Sequence, residues 1–361
     1  MSYEYILFIL VLSILLYQLK KIKMNNESFI NYFQCKNTSQ VLNNRVKKVF
    51  NKEYNFNKIN WNIYIPCGYT YVENELLKLE FQNKNQIVFA IDGCDNLASK
   101  YRLFTLMKLR YGNNYSNYMP ITYLNNEKDI MELYKNHKLG NMYIAKKEIQ
   151  QQKGLNIIEN ISDIKKIMND KSYVIIQKLL NNPFLINGYK INLRIYFLIT
   201  CFNQRINGYI HNNGFMYYTP KIYNNLSSDK NVHITTGYIS REIYKKNPLT
   251  LYDFYYFLDK NGYNSQKLKK NIINLFEKIM SATNVGICNN SKFKNNFLFQ
   301  LFGVDIAPDN NLNVKIIEIN KGPDMGGKDI RDNKVKDKII KDLFRTVNVL
   351  KNENNDFIQI W

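Results

Sequence analysis

An α+β fold is predicted for this chain by three patterns. Strand-like and helix-like runs are mixed along its length, long apolar runs follow one another closely enough to pair as antiparallel hairpins, and no internal repeat is present. The 361 residues are 45% hydrophobic, enough for a sizeable core in two or three modest domains or one elaborated one. Tyr and Phe are abundant, which excludes a disordered chain.

The chain begins with an apolar run from Tyr5 to Leu19, interrupted only by Ser13 and Gln18, and "KKIK" follows at once. A cleaved leader carries its positive charge before the apolar run, whereas here Glu4 precedes it and lysines follow. The pattern predicts an uncleaved membrane anchor helix over residues 3–19, with the rest of the chain in the cytosol. Residues 1–23 are then anchor and basic flank, and residues 24–85 a polar linker with a small amino-terminal domain.

Beyond that point the elements follow in order. "QIVFAIDG" reads as a strand ending in a turn, and "LASKYRLFTLMKLRYG" as a helix stopped at Gly112. "YMPITYL" is a short strand, "NEKDIMELYKNHKLG" a helix stopped at Gly140, and "NMYIAKKEI" a strand with two lysines at its end. A polar loop, "QQQKGLNII", leads into the next strand; "ISDIKKIMND" is helical and "YVIIQKLL" extended. "YKINLRIYFLITCF" is a long strand and "RINGYIHNNGFMYY" its hairpin partner. "SQKLKKNIINLFEKIMSA" is amphipathic at helical spacing. "FLFQLFGVDIAPDNNLNVKIIEIN" is a hairpin around a Pro-Asp-Asn-Asn turn.

Lys and Arg outnumber Asp and Glu by 50 to 30, a net charge of +20 that favours an acidic partner. The excess is scattered and no RNA-binding signature accompanies it, so nucleic acid is not the expected partner. Five cysteines without a C-x-x-C pair argue against a disulfide framework or a cysteine zinc site and for reduced thiols.

The chemistry concentrates in the last hairpin. With its turn centred near Asn310 and Asn311, Asp305 lies opposite Ile316, and Glu318 is its diagonal neighbour about 7–8 Å away on the same face. Asn320 extends the row. An all-oxygen set suits magnesium, and magnesium with few protein carboxylates takes phosphate oxygens too, so a nucleotide is implied. Lys146 at a strand end, Lys153 and Gly154 in the following loop, and Lys190, Asn192 and Arg194 on one strand face suit a phosphate site. Positioning and electrostatics of this kind serve phosphoryl transfer.

This ordered set resembles the tubulin–tyrosine ligase-like family, which has an ATP-grasp fold, from about Ile87 to Met325. "YMPITYL", "YIAKKEIQQQKGL", "VIIQKLLNNPFLINGYKINLRIYFLIT", "HITT" and "LFGVDIAPDNNLNVKIIEINKGPDM" each look like a family motif, in the family's order. The resemblance implies two α/β subdomains around a nucleotide cleft: a central one over residues 86–175 with the phosphate loop, and a carboxy-terminal one over residues 176–361 with the metal site. It implies ATP contacts from Lys146, Lys153, Gly154, the hinge Gln177, Lys178, Leu179 and Leu180, and from Lys190 and Asn192. Asp305, Glu318 and Asn320 match the ligands of Mg2+, and Arg194 matches the arginine that stabilises the reacting carboxylate and phosphate.

The implied reaction is ATP-dependent amide formation through an acyl phosphate, adding a free amino acid to an acidic, tubulin tail-like acceptor. Four positions depart from the family pattern. Asn192 stands where the family has Asp, Lys147 where it has proline, and Thr236 where it has Asn. Tyr217 aligns with an arginine near the terminal phosphate and the amino acid. Tyr217, Lys221, Thr235 and Thr236 are therefore the candidate amino-acid site. The alternative implied by Tyr217 and Thr236 is a nucleotide-binding pseudoenzyme that docks an acidic partner without ligation.

Overall fold

The computed structural model describes residues 32–34, 40–50, 61–148, 154–351 and 353–361. Strands β1 (Tyr32–Gln34), β2 (Ile63–Ile65) and β3 (Ile87–Val88) pair in parallel at one edge of a ten-stranded sheet. Helix α1 (Gln40–Phe50) lies between the first two strands, within a segment the sequence marked only as polar and irregular. The sheet continues through β12 (Phe297–Pro308), β9 (Tyr189–Phe202), β10 (Arg205–His211) and β14 (Phe357–Gln359).

β9 and β12 are each buried along almost their whole length; β12 is apolar apart from Gln300 and Asp305, and β9 is apolar on both faces only beyond Arg194. Each also changes partner along its length. β10 pairs with the end of β9 from Phe197 to Phe202, while β11 (Phe215–Tyr218) pairs with its beginning from Ile191 to Arg194. β12 pairs with β3 at Phe297 and Leu298, and with β13 (Val314–Asn320) from Gly303 to Pro308. The four strands β13, β12, β9 and β11 therefore lie side by side at one end of the sheet.

A second sheet, in the order β4 (Thr122–Leu124), β7 (Tyr173–Lys178), β5 (Tyr143–Lys147) and β6 (Leu155–Ile158), is antiparallel throughout. Its small core, including Ile130, Leu133, Ile164 and Ile176, is separate from the large core under the first sheet. Helix α2 (Lys100–Tyr111) is capped at its start by the Ser99 side chain and ends at Gly112, which takes a positive φ of 55°. Helix α3 (Glu127–Asn136) covers the second sheet through Ile130 and Leu133. Helix α4 (Ser265–Thr283) buries Leu268, Ile272, Leu275, Phe276 and Ile279 on one stripe, and Phe276 meets Phe197 of β9 edge to face at 5.0 Å.

Two expectations are corrected. The anchor predicted over residues 3–19 lies outside the described residues, and among the described residues no helix is long and apolar enough to cross a membrane. The longest helix, α4, carries Lys267, Lys269 and Lys270 on the side away from its apolar stripe. The membrane-anchored localisation and the membrane partner are accordingly withdrawn. The thiols are not all reduced either. Cys201 at the end of β9 is joined to Cys288, 87 residues away, with Cα atoms 6.1 Å apart, and Cys67 is also disulfide-bonded. Spacing gave no sign of this pairing, because β12 brings its preceding loop back beside β9 only in the folded sheet.

The carboxy-terminal edge is tied down by one buried carboxylate. Asp342, on helix α5 (Ile330–Thr346), is inaccessible to solvent and accepts hydrogen bonds from Arg345 Nη1 at 2.9 Å, from the Asp356 amide at 3.0 Å and from Lys338. His211 Nε2 of β10 lies 3.2 Å from Oδ2, the oxygen that Lys338 and the Asp356 amide also reach. Burial alone would raise the Asp342 carboxyl, but these donors outweigh it and hold it down at about 2. A carboxyl depressed in the folded state contributes stability that is complete above about pH 4 and is lost as pH falls toward its folded value. Thermal unfolding should therefore lose midpoint between pH 4 and pH 2, and Asp342→Ala should cost about 3 kcal/mol at neutral pH by stranding its cations. An unchanged midpoint in that variant would refute the clamp.

Candidate active site

The site is built on a register step. At the turn end of the β12–β13 hairpin, Ile306 pairs with Ile316; one residue further in, Asp305 pairs with Glu318, so Ile317 is an extra residue in β13. Side chains alternate faces along a strand, so without this bulge Glu318 and Asn320 would point away from Asp305. With it, Asp305 faces Glu318 directly across the ladder, closer than the diagonal placement predicted from a register that set Asp305 opposite Ile316; the hairpin instead pairs Ile306 with Ile316.

β9 completes the row, for Arg194 pairs with Asp305 on its other side. The guanidinium grips the carboxylate with two bonds, Nε to Oδ1 at 2.6 Å and Nη2 to Oδ2 at 3.0 Å. Three strands thus present Glu318, Asp305 and Arg194 in line. Gly303 makes room for this: a Cβ there would stand 3.0 Å from Arg194 Nη1 and 2.9 Å from Pro323 Cβ. Asn320 donates its amide to Glu318 Oε1 at 3.0 Å, leaving its own carbonyl oxygen for another partner. Burial pushes the Glu318 carboxyl up, but Lys100, Lys146, Asn320 and Arg194 outweigh it and leave it below its ordinary value.

The second sheet supplies cations. Lys146 and Lys147 are neighbours on β5 and so point to opposite faces; across from them β7 carries an extra residue at Val174, Lys146 pairing with Ile175 and Lys147 with Tyr173. Lys147 faces outward to Asp170 at 2.8 Å, while Lys146 is buried. Lys190 is buried too, its ammonium donating to the His233 carbonyl at 2.9 Å. Burial drives both ammonium groups down to about 8; Lys190 is lowered further by Lys146 beside it, and Lys146 is partly restored by Glu318.

One cavity of about 560 Å³ gathers these groups. Of the residues expected from sequence, it is lined by Lys146, Gln177, Lys178, Leu179, Leu180, Lys190, Asn192, Arg194, Tyr217, Thr235, Thr236, Asp305, Glu318 and Asn320. Lys153 lies outside the described residues. Gly154, at a φ of 74°, backs onto the Lys147 side chain and is not in the lining, and exposed Lys221 is ion-paired to Asp229 at 2.8 Å, also outside it. Gln177 spends its amide on Thr122 Oγ1 at 2.9 Å. Tyr217 lays its ring against the Arg194 guanidinium, 5.1 Å from centroid to Cζ.

Several lining residues were not read from the sequence. Lys100 opens α2, where a cation opposes the helix dipole, and that mismatch was the available signal. Ile144, Leu155 and Ile317 add apolar lining, and Tyr238, Pro323, Asp324 and Lys328 also line the cavity. Nothing local in the "KGPDMGGKD" segment marked Lys328 for the cavity.

The donor set fits a divalent cation with a polyphosphate nucleotide. It is all oxygen, it faces two buried lysines, and Asn192 Oδ1 is buried with no hydrogen-bond partner among the described residues. Lysines that charge as pH falls through about 8 should bind a polyanion less well above it. Affinity for inorganic triphosphate should drop between pH 7 and pH 9 by up to about tenfold per lysine. Calorimetric titration at the two pH values checks this, and equal affinities would contradict the placement of the lysines.

A family model described as the tubulin-tyrosine ligase family matches residues 80–356. The chain is 26% identical over 298 residues to a probable beta-tubulin polyglutamylase of Tetrahymena thermophila, covering 74% of this chain and 24% of that protein. It is 25% identical over 238 residues to tubulin polyglutamylase TTLL6 of Homo sapiens, covering 61% and 26%. It is 28% identical over 203 residues to tubulin glycylase 3D of Tetrahymena thermophila, covering 51% and 19%. The chain therefore spans about a quarter or less of the length of these three relatives.

Proposed function

The chain belongs to the tubulin-tyrosine ligase family, and from that premise we propose that it is an ATP- and magnesium-dependent ligase joining an amino acid to a protein carboxylate. The observation that carries the reading is the row Glu318–Asp305–Arg194, facing buried Lys146 and Lys190 across one cavity. The names of the relatives favour a tubulin-type acidic tail as acceptor, and a chain of net charge +20 attracts such a tail.

Asp305, Glu318 and Asn320 would hold magnesium, which supplies charge neutralisation at the phosphates when bound. Lys146 and Lys190 neutralise phosphate oxygens, and Asn192 offers its free oxygen to a sugar hydroxyl. Ile144, Leu155, Leu179, Leu180 and Ile317 give the base an apolar slot. Arg194 is oriented by Asp305 through Nε and Nη2, which leaves Nη1, beside Gly303 and Pro323, to hold the acceptor carboxylate. The carboxylate takes the terminal phosphoryl group of ATP and becomes an acyl phosphate, releasing ADP. The amine then attacks the carbonyl carbon; the C–N bond forms, phosphate leaves, and the amine gives up its proton.

A second reading is favoured by one observation, Tyr217 stacked on Arg194 where the family has an arginine. Under it the chain binds nucleotide and an acidic partner without ligation. ATP hydrolysis stimulated by an acidic acceptor peptide is the expected result for a ligase, and binding of both without turnover would favour the second reading. For either, Glu318→Gln should weaken magnesium-dependent binding of a non-hydrolysable ATP analogue by at least about tenfold, the lower end of what losing a group that merely supports a metal ligand costs. Titration with and without magnesium reads this out, and an unaltered affinity would sink the metal assignment.

A further inference from the structure

We propose that the amino acid this site accepts has an uncharged side chain, and that Lys328 holds its α-carboxylate. The inference rests on the ligase reading and adds the substrate class to it.

The cavity has two ends. Lys146 and Lys190 mark the phosphate end. The other is where Tyr217, Gly237, Tyr238, Pro323 and Lys328 meet: Lys328 donates to the Gly237 carbonyl and lies over the Tyr238 ring, Gly237 backs onto Tyr217, and Pro323 and Arg194 both flank Gly303. Each carboxylate of an amino acid bound there needs a cation, because a buried or half-buried anion left without one is costly. The cations around this end are mostly committed. Arg194 is gripped by Asp305 and serves the acceptor carboxylate. Arg241 Nε donates to Asp329 at 3.0 Å. Lys321 is ion-paired to Asp95, and Lys336 to Asp332 at 3.4 Å.

Lys328 differs from all of these. Its hydrogen-bond and ring partners are neutral: it donates to the Gly237 carbonyl, and its ammonium lies 4.0 Å from the centroid of the Tyr238 ring, while Asp324 and Asp332 act on it only from beyond ion-pair distance. Among the described residues no carboxylate is within ion-pair distance of it. It lines the cavity. A carboxylate arriving in the cavity would convert a carbonyl contact into a charge-assisted one. Asp324, in the same segment and also in the lining, spends Oδ1 on the Gly326 amide at 2.8 Å and has Oδ2 to offer an α-ammonium. The segment therefore presents one positive and one negative group, which matches a zwitterion.

A second carboxylate, as in glutamate, would find beside Lys328 only Arg194, held by Asp305, and Arg241, held by Asp329, among the described residues. The place where one would be useful is filled by Tyr217, whose ring sits against Arg194 and against Gly237, where even a Cβ would come within 3.1 Å of it. Burial pushes the Tyr217 phenol up, so it is neutral at physiological pH and offers a ring and a hydroxyl to a side chain. Selectivity follows from charge accounting: the pairing groups suffice for one carboxylate and one ammonium.

The test is a calorimetric titration of the full chain, preloaded with magnesium and a non-hydrolysable ATP analogue, with glycine, alanine, tyrosine, glutamate and ethylamine. At least one uncharged amino acid is expected to bind at least about tenfold more tightly than glutamate or ethylamine. Lys328→Met should weaken that amino acid by at least about tenfold, Lys328→Arg should restore it, and neither should change affinity for the analogue. Tightest binding by glutamate, no amino-acid binding to the loaded protein, or indifference to Lys328→Met would each overturn the inference. Failure of the analogue itself to bind wild-type protein would instead bring down the ligase reading, and this inference with it.

Discussion

One extra residue in one strand organises the site. Ile317 shifts the register between β12 and β13, and that shift alone sets Glu318 and Asn320 on the face of Asp305. A carboxylate on the far face would be buried against an apolar layer with no cation near it. The bulge is therefore a condition for placing acids in so apolar a hairpin. It also gives Asp305 two neighbours of opposite charge character, Glu318 on β13 and Arg194 on β9. Arg194 in turn has its orientation from Asp305 and its space from Gly303. Removing any one of these leaves a half-buried charge without its partner.

The charges are divided between two sheets. The large sheet contributes both acids, Arg194 and Lys190; the four-stranded sheet contributes Lys146 and the hinge. The cavity between them buries these cations, and the depression of Lys146 and Lys190 to about 8 records the cost of burial first, with Lys146 beside Lys190 adding to it. Such an arrangement is unfavourable for folding by itself and is relieved when an anion is bound, as expected of a site and not of a core. The far end is arranged otherwise, with ion pairs closed among themselves and Lys328 resting on neutral groups.

Much of this was legible before the fold was seen. The long strand β9 was read residue for residue, because alternation within "YKINLR" and unbroken apolarity after it left no helical alternative. Gly112 ends its helix where expected, since a positive φ is required there. Lys190, Asn192 and Arg194 share a face by the period of two, and all three line the cavity. Elsewhere local signals misled. Helix α1 lies in an Asn-rich stretch with poor helix formers and is held by packing against α5, including the ion pair of Arg45 with Asp337. Only Ile87 and Val88 of "QIVFAIDG" form a strand, because pairing with β2 and β12 stops there.

The sequence by itself determined the α+β class, the order of the elements and the residue types on each strand face, since these follow from local periodicity and backbone preference. It determined the family too, because five motif-like segments stand in the family's order. Only the tertiary structure decided which faces meet. The bulge at Ile317, the reach of Lys100 and Lys328 into the cavity, the pairing of Cys201 with Cys288 and the exclusion of Lys221 depend on contacts between distant segments. The physical reason is that register and long-range packing are settled by the total burial and charge pairing of the folded chain, and no short window of residues contains that sum.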